Sequence, residues 1–589
     1  MFGGHTGPTG RPLSLLSFLL DGNNWPTDAW PFKRTNLVIH LFNGALLGVV
    51  TFQILHLVGI DKHRSQWLAL LSAACWLLHP FLVSTTLYVV QRMAQLSTMF
   101  IFLGIIFYLR GRGLVAQRPA KAYATMSLAL GLGTFLAMIS KENGILLPLL
   151  VAVLEFTLVA GQKQHVAPLN RTWAAVFLLA PTLVVVSYLA MIALTVDFFN
   201  AIPPRDFSTY ERLLTESRVL ADYLQHWFLP KLFTAGVFQD HFLISSGFLT
   251  PLSTALSMVF HVSLISVGVV KRHKWPLFSF AVLFFYASHL LESTVVNLEL
   301  YFEHRNYLAA AFLYLPLMAG LQKRISRPLF TATVFGILIV LAGFTRYTTT
   351  VWESYPSIVE MAASKVPGSA RAQQQYSLLL YNAQRYDESL QVADAAIERI
   401  PGDEQLRIWR ATIRCNLGML SAAEFSRMKQ VVATARYDLR ALALYETLVN
   451  SVVSKNCPGV SLDNLRSLFT EMLQEPLNAD PRSAGFSQIV YFVGIVDIHQ
   501  GNRQRAMSNF VKSLRSRPGA SRAMLMASLM ASNEFYVEAM ELSEIALIEL
   551  DATHNGLLHS AQVTESDIRD FREKVREELR LRTPDPNGV

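Results

Sequence analysis

Hydrophobic positions along this chain fall into two regimes. Up to about Tyr347 the sequence is a series of long apolar runs broken by short polar loops. Beyond that point apolar residues recur at the helical period among Arg, Glu and Gln, as in water-facing helices. The first regime predicts about ten membrane spans, at 36–59, 66–87, 94–109, 122–139, 144–160, 173–195, 250–270, 276–291, 307–321 and 328–345, several of them shorter than the roughly 20 residues that cross a bilayer comfortably. The fold class expected is all-α: a polytopic transmembrane bundle followed by an α-solenoid. The domains expected are 1–35, an outer loop with a short amphipathic helix; 36–347, the transmembrane domain; 348–576, a repeat domain; and 577–589, a flexible tail.

Composition agrees. Hydrophobic residues make up 52% of the 589 and charged residues only 16%, and mean hydropathy is +0.32. Soluble chains carry about 25% charged residues. The net charge of +8 on a soluble protein would raise nucleic acid as a partner. Here the positive charge sits in alternate short loops: Lys62 and Arg64; Arg110, Arg112, Arg118 and Lys121; Lys163 and Arg171; Lys271, Arg272 and Lys274; Lys323, Arg324 and Arg327. The positive-inside rule places those loops in the cytoplasm, so no nucleic-acid partner is invoked. The other loops, both ends of the membrane part and the polar domain then face outward. The first 35 residues contain no secretory signal, and the run Leu13–Leu20 is too short to span. Lys33 and Arg34 flank the first span on the outer side, against the charge rule. A natural first helix missing upstream resolves both points, and that is the expectation.

In the polar half, "QQQYSLLLYNAQRYDESLQVADAAIERIPGD" alternates two helical patterns around a tight turn. Pro367 and Pro401 are 34 residues apart, as are Gln384 and Gly418, which is the tetratricopeptide period. Further units start at "IWRATIRCNLG", "YFVGIVDIHQG" and "MLMASLMASNE". Such arrays present a curved surface to a partner. The three cysteines form no metal-ligand spacing. Cys75 lies in an apolar run, and Cys415 and Cys457 either pair or stay free.

Ionisable residues at membrane boundaries are costly and therefore candidates for function. All fall on the expected outer side. In "HLLESTVVNLELYFEHRNYL", Arg305 offers a planar fork for phosphate oxygens and His304 a further donor. Glu292 and Glu303 are candidate bases, with Asn306 and Tyr307 beside them. The stretch 205–241 holds an amphipathic helix. Its apolar face is Leu213, Leu214, Leu220, Leu224 and Trp227, and Glu211, Arg212, Arg218 and Asp222 lie opposite. It suits either the membrane interface or packing on its own bundle. Asp240 and His241 follow it. In "VVQRMAQ" and "SKENG", Gln91, Arg92, Lys141 and Glu142 sit where cations can neutralise a lipid phosphate. Asn36, His40 and Asn43 share one helix face and read as an interhelical hydrogen-bond stripe. No phosphate-cradling glycine loop, metal-ligand cluster or Ser-His-Asp pattern appears.

The motifs "GRPLSLLSF", "KRTNLVIHLFNG", "YVVQRMAQLSTMF", "SKENGILLPLL", "RLLTESRVLADYLQHWFLP" and "LELYFEHRNYL" resemble the bacterial membrane proteins with C-terminal tetratricopeptide repeats. Those are similar to the repeat-bearing O-mannosyltransferases of the GT-C glycosyltransferase superfamily. The resemblance covers nearly the whole chain. It implies an inner-membrane enzyme that uses a polyprenyl-phosphate-linked sugar donor on the periplasmic side and transfers to a protein or glycan acceptor. Sugar, acceptor and metal requirement are not implied. One departure matters: the acidic motif usual early in the first outer loop of that superfamily is absent, and Asp21 and Asp28 do not supply it. Glu303, Asp240 and Glu292 are the candidate catalytic carboxylates that remain. Arg305, His304, Arg92, Lys141 and Arg218 are candidates for the donor phosphate, and Gln91, Glu142, Asn306, Tyr307 and His241 for the substrate pocket. The other readings are a non-catalytic scaffold for surface-glycan or pilus assembly, and a lipid-linked oligosaccharide ligase or polymerase. The transferase reading predicts that Arg92, Lys141, Arg305 and a carboxylate meet at one cavity.

Overall fold

A computed structural model describes residues 10–22, 27–160, 167–195, 207–234, 236–454, 456–554 and 563–582. Expectations for residues 1–9, for Lys163, for the 196–206 part of the long loop and for 583–589 lie outside the described residues. Every regular element described is helical. The chain divides into two compact units, with the boundary between Met361 and Ala362, later than the expected 347.

The first unit begins with α1 (Pro12–Phe18) and α2 (Trp30–Leu57). The second helix starts five residues before residue 35, because Pro31 is preset for a first helical turn. Lys33 and Arg34 therefore lie on α2 and not in a loop. Next come α3 (Lys62–Leu77), α4 (Val83–Leu87), α5 (Arg92–Gly113), α6 (Pro119–Ser140), α7 (Leu147–Leu154) and α8 (Arg171–Thr195). After these come α9 (Thr209–Phe228), α10 (Ser253–Val270), α11 (Pro276–His289), α12 (Tyr314–Arg324) and α13 (Arg327–Val351). Among the described residues seven helices are long and apolar enough to cross a membrane; an eighth appears if α3 and the segment Pro80–Leu87, bent by 57° at the break, count as one span. This chain is built as a membrane protein. Leu329, Phe335, Ile339 and Val340 on α13 lie exposed, a pattern that suits lipid and not water.

The expected span 307–321 is not one helix. A short turn of helix, Asn306–Ala309, ends before α12 begins. Pro316 falls in the first turn of α12, where its missing N–H costs nothing, whereas a continuous helix would need that N–H. The expected span 276–291 is the 14-residue α11. Where α5 meets α6, Gly111 allows close approach: a Cβ there would lie 2.7 Å from Met126 Cγ, the small-residue logic of membrane packing. Arg112 is spent inside the bundle. Its Nε donates to Glu155 at 2.9 Å, and the Tyr108 hydroxyl donates to the same carboxylate at 2.7 Å.

The second unit is a run of helices. α14 (Ala370–Asn382), α15 (Tyr386–Arg399), α16 (Glu404–Asn416), α17 (Ala422–Val432), α18 (Leu442–Val453) and α19 (Leu462–Met472) come first. α20 (Ala484–His499), α21 (Arg503–Ser516), α22 (Ala520–Ser532), α23 (Tyr536–His554) and α24 (Glu565–Arg582) follow. The last helix runs through the tail expected from 577, as far as Arg582. Gln384, Gly418, Gly501 and Glu534 all take positive φ, between 61° and 75°. Each lies just after the first helix of a pair, so the turn recurs. A second device also recurs. Ser377 and Ser389 each donate to the other's carbonyl, at 2.9 and 2.7 Å, and Ser487 and Ser513 do the same at 3.0 and 2.6 Å. The next helix then donates into the pair, through Trp409 Nε1 or Arg522 Nη2. Cys415 and Cys457 are disulfide-bonded, and Cys75 is free and buried.

Glu404, at the start of α16, is buried and accepts from the Asp438 amide at 2.6 Å and the Tyr445 hydroxyl at 3.1 Å. Burial outweighs these bonds and raises its carboxyl to about 8. The folded state therefore holds a proton that the unfolded chain releases above about 4.5. That advantage is complete below about 4.5 and is lost as pH rises to about 8. Hydrogen exchange in α16 and α18 of the full-length protein, corrected for intrinsic rates, is expected to show stability falling over this window by a few kcal/mol. Glu404→Gln is expected to remove the slope.

Candidate functional site

α9 supplies the frame of the site. Ser208 and Glu211 form a capping box at its start, which fixes the first turn. One turn further on, Arg212 and Glu216 share a face at i, i+4 spacing, joined at 2.9 Å and almost wholly buried. Of the two readings of this amphipathic helix, interfacial or packed on its own bundle, the structure shows the second. Arg212, Glu216, Leu214, Leu224 and Trp227 are all buried, so α9 packs on its own bundle.

Arg212 organises the loop after α11. It donates to the carbonyls of Thr294 at 2.9 Å, Leu298 at 2.5 Å and Glu292 at 2.6 Å. Arg305 finishes the same loop, with bonds to the carbonyls of Leu300, at 2.8 Å, and Glu299, and a 3.4 Å contact to Glu216. On the facing side Lys141 pairs with Glu292 at 2.7 Å, both buried. Gly144 lets the "SKENG" turn approach α6; a Cβ there would sit 2.2 Å from the Ala137 carbonyl carbon. The His304 ring stacks on Phe302, with centroids 4.9 Å apart.

These groups surround a cavity of about 20 Å³ lined by Ser97, Thr98, Lys141, Glu292, His304 and Arg305, among others. That volume holds about one water. Its lining carries two permanent cations and one carboxylate. The Ser97 and Ser288 hydroxyls on its wall find no protein partner. Burial alone would raise the Glu292 carboxyl. Lys141 and Arg305 outweigh burial and hold it well below the carboxylate range. Burial, with Lys141 and Arg305 adding to it, keeps His304 neutral. The cluster is thus an ionised carboxylate locked to an ammonium, beside a guanidinium and a neutral imidazole.

Of the expected site residues, Lys141, Glu292, His304, Arg305 and Tyr307 line this cavity. Tyr307 also holds the interhelical stripe: its hydroxyl meets His40 Nδ1 at 2.8 Å and Asn43 at 3.2 Å. Asn306 bonds back to the Glu303 carbonyl at 3.4 Å. Glu303 faces elsewhere. It accepts from Gln239 at 3.4 Å, and burial raises its carboxyl against hydrogen bonds from the surrounding loop. Near it Asp222 pairs with His226 at 3.1 Å and accepts from Tyr301 at 2.7 Å. Asp240 is half-buried, His241 is exposed, and neither lines the cavity. Arg218 holds the 242–245 loop through the Leu243 carbonyl at 2.6 Å and stands over Phe242. Gln91 is buried in the turn before α5 and is not part of the cavity wall. Glu142 is engaged by Arg11, 2.8 Å away.

Arg92 departs most from expectation. Its guanidinium is fully buried and bonds Asn36 at 2.7 Å, the Ser17 carbonyl at 2.7 Å, the Phe32 carbonyl at 3.1 Å, and Asp21. It stands over Phe18, 4.7 Å from the ring centre. It anchors the segment before α2 and does not reach the cavity with Lys141 and Arg305. The sequence reading missed Arg212, Glu216, His226 and Arg11 as participants. The i, i+4 Arg–Glu pair on α9 was the available signal. Among the described residues no group of three metal-ligating side chains comes together.

Removing the Arg92 guanidinium leaves Asp21 buried without its cation, a loss of about 3–5 kcal/mol. Arg92→Ala is expected to speed hydrogen exchange in α1 and the first turn of α2, with the Lys141 region unchanged.

No family model matches this chain, and no curated protein matches it.

Proposed function

We propose that this protein is a GT-C-type membrane glycosyltransferase. It would move a sugar from a polyprenyl-phosphate donor to a protein or glycan acceptor, on the periplasmic side of a bacterial inner membrane. The motifs that resemble the repeat-bearing O-mannosyltransferases motivate the reading. One observation carries it: Lys141, Glu292, His304 and Arg305 meet at a cavity by the end of the bundle opposite the basic loops. Two further features support the sidedness. The basic loops mark the cytoplasmic face, and the Cys415–Cys457 disulfide suits a repeat domain in an oxidising compartment. The recurring positive-φ turns and serine pairs support a tetratricopeptide-type array, which would hold the acceptor. A GT-C-like bundle of about ten spans counts α11 and α12 as short crossings.

In the resting protein Lys141 neutralises Glu292. A donor phosphate competes for Lys141, because an ammonium binds either anion as a point charge. Glu292 then loses its nearest cation, and burial pushes its carboxyl upward, into the range of a useful base. It takes the proton of the acceptor hydroxyl while the acceptor oxygen attacks the anomeric carbon. The bond from that carbon to the phosphate oxygen breaks, and the electron pair leaves on the phosphate, where Lys141 and Arg305 stabilise it. Arg212 and Glu216 position the loop that carries Glu292 and Arg305.

A second reading has its own observation. Lys141, Arg305, Arg92 and Arg11 each already face a carboxylate, and the cavity is about 20 Å³. Such a self-neutralised cluster also suits a non-catalytic scaffold whose repeats recruit partners.

Transfer from polyprenyl-phosphate sugars in proteoliposomes separates the two. Lys141→Ala and Glu292→Gln are each expected to lower the rate by at least about 10², in an assay run below the melting temperature of both variants, since each loses a buried ion-pair partner. Unchanged transfer in both variants, or no transfer by the parent to any surface-glycan or protein acceptor, would favour the scaffold.

A further inference from the structure

A groove of about 950 Å³ runs between α9, α10, α11 and α12 and reaches Trp275 and Arg324 on the basic side. It lies near the top of the volume range of small-molecule pockets, roughly 300–1,000 Å³. Its walls are apolar, with Phe228, Leu256, Phe260, Phe278 and Leu317 among them. Only Gln225, Ser257, Trp275 and Arg324 bring polar atoms to it. Along α12 it extends from Leu313 to Arg324, about 16 Å at 1.5 Å per residue. That is the whole length of α12, and on α10 the wall begins at Leu256, in the first turn of that helix.

One end of the groove is marked chemically. Trp275, 48% exposed, sits where an interfacial aromatic belongs, and Arg324 stands beside it on the wall. Lys271, Arg272 and Lys274 precede Trp275 in the same short turn, and Lys323 precedes Arg324. Lys274, Lys323 and Arg324 are exposed. No Asp or Glu occurs in 268–280 or 313–327. An apolar slot thus opens at a cluster of cations, and neither chain segment that carries them holds a carboxylate. Gly320 forms part of the wall, and a Cβ there would meet nothing within 4 Å.

We propose that this groove is a binding site for an anionic phospholipid of the basic-side leaflet, with acyl chains along Phe260, Phe278 and Leu317 and the headgroup phosphate at Lys274, Lys323 and Arg324. The cations favour an anionic headgroup over a zwitterionic one. The site is independent of the transfer reaction, since it uses none of the residues around the Lys141 cavity.

Native mass spectrometry of the full-length protein in detergent tests this, with phosphatidylglycerol and phosphatidylcholine of identical acyl chains. The parent is expected to retain phosphatidylglycerol at roughly tenfold lower concentration than phosphatidylcholine. Lys323→Gln with Arg324→Gln is expected to erase that preference and leave weak binding of both lipids. Gly320→Phe is expected to abolish binding of both by filling the slot at unchanged melting temperature; Ser257→Phe fills it from α10 should the first variant fold poorly. Equal retention of the two lipids by the parent would overturn the proposal. So would phosphatidylglycerol binding that survives both filling variants, which would mean surface charge alone. Polyprenyl phosphate that displaces phosphatidylglycerol and cannot be displaced by it would assign the groove to the donor instead.

Discussion

Irregular backbone buried at the end of a membrane bundle must have its carbonyls satisfied, and everything at the candidate site follows from how this chain does it. Residues 290–302, after α11, have no helix or sheet to absorb their polar groups, and each one left bare in a low-dielectric setting costs kcal/mol. Three arginines do the work. Arg212 takes the carbonyls of Glu292, Thr294 and Leu298, and Arg305 those of Leu300 and Glu299. Arg92 does the same for Ser17 and Phe32 near the start of the chain. Each guanidinium is balanced by a carboxylate, Glu216 serving two of them and Asp21 the third. A fork of five donors is the one side chain that can cap several carbonyls and pair an acid at once.

The same property explains why the sequence misled. A planar fork that fits phosphate fits two backbone carbonyls equally well, and nothing local distinguishes the uses. Arg92 and Arg218 fit a phosphate on sequence and serve as loop anchors in the structure. Lys141 was read by the same reasoning and does line the cavity, since a compact ammonium at the end of a turn held by Gly144 has one acid partner and no carbonyls to cap. Helix positions were legible because hydropathy over 20 residues is a strong signal. The count of spans was less so: α12 is shortened by Pro316 and by a loop whose demands are tertiary. The apolar stripe of α9 was legible too, but an interfacial helix and one packed on its bundle share that stripe. What separates them is the burial of Arg212 and Glu216, which depends on a partner loop some 80 residues away in sequence.

The second unit shows the converse case, in which a local rule repeats and is therefore readable. Gln384 and Gly418 stood out by spacing, and both take the left-handed turn. Glu534 takes it as well although it has no glycine's freedom, which means the helix-pair geometry imposes the conformation and the residue tolerates it at a cost of about 1 kcal/mol. The reciprocal serine bonds were invisible because serine reads as polar filler. Their meaning lies in helix separation, where only a small side chain that also donates can sit at the crossing.

Glu292 and Glu303 lie on one loop, eleven positions apart, and their surroundings drive them in opposite directions. Glu292 is kept ionised by Lys141, whereas Glu303 is pushed toward its protonated form by burial. Pairs of carboxyls whose environments separate them in this way mark acid and base assignments. Under the proposed transfer reaction the assignment follows from access: Glu292 shares its wall with the cations that would hold a phosphate, and Glu303 shares its pocket with Gln239 and the Asp222–His226 pair. Under that proposal the loop that Arg212 ties down would carry the reacting carboxylate on one face and, on the other, one that burial pushes toward its protonated form, and the base would be the one whose ionisation depends on a cation that substrate can take away.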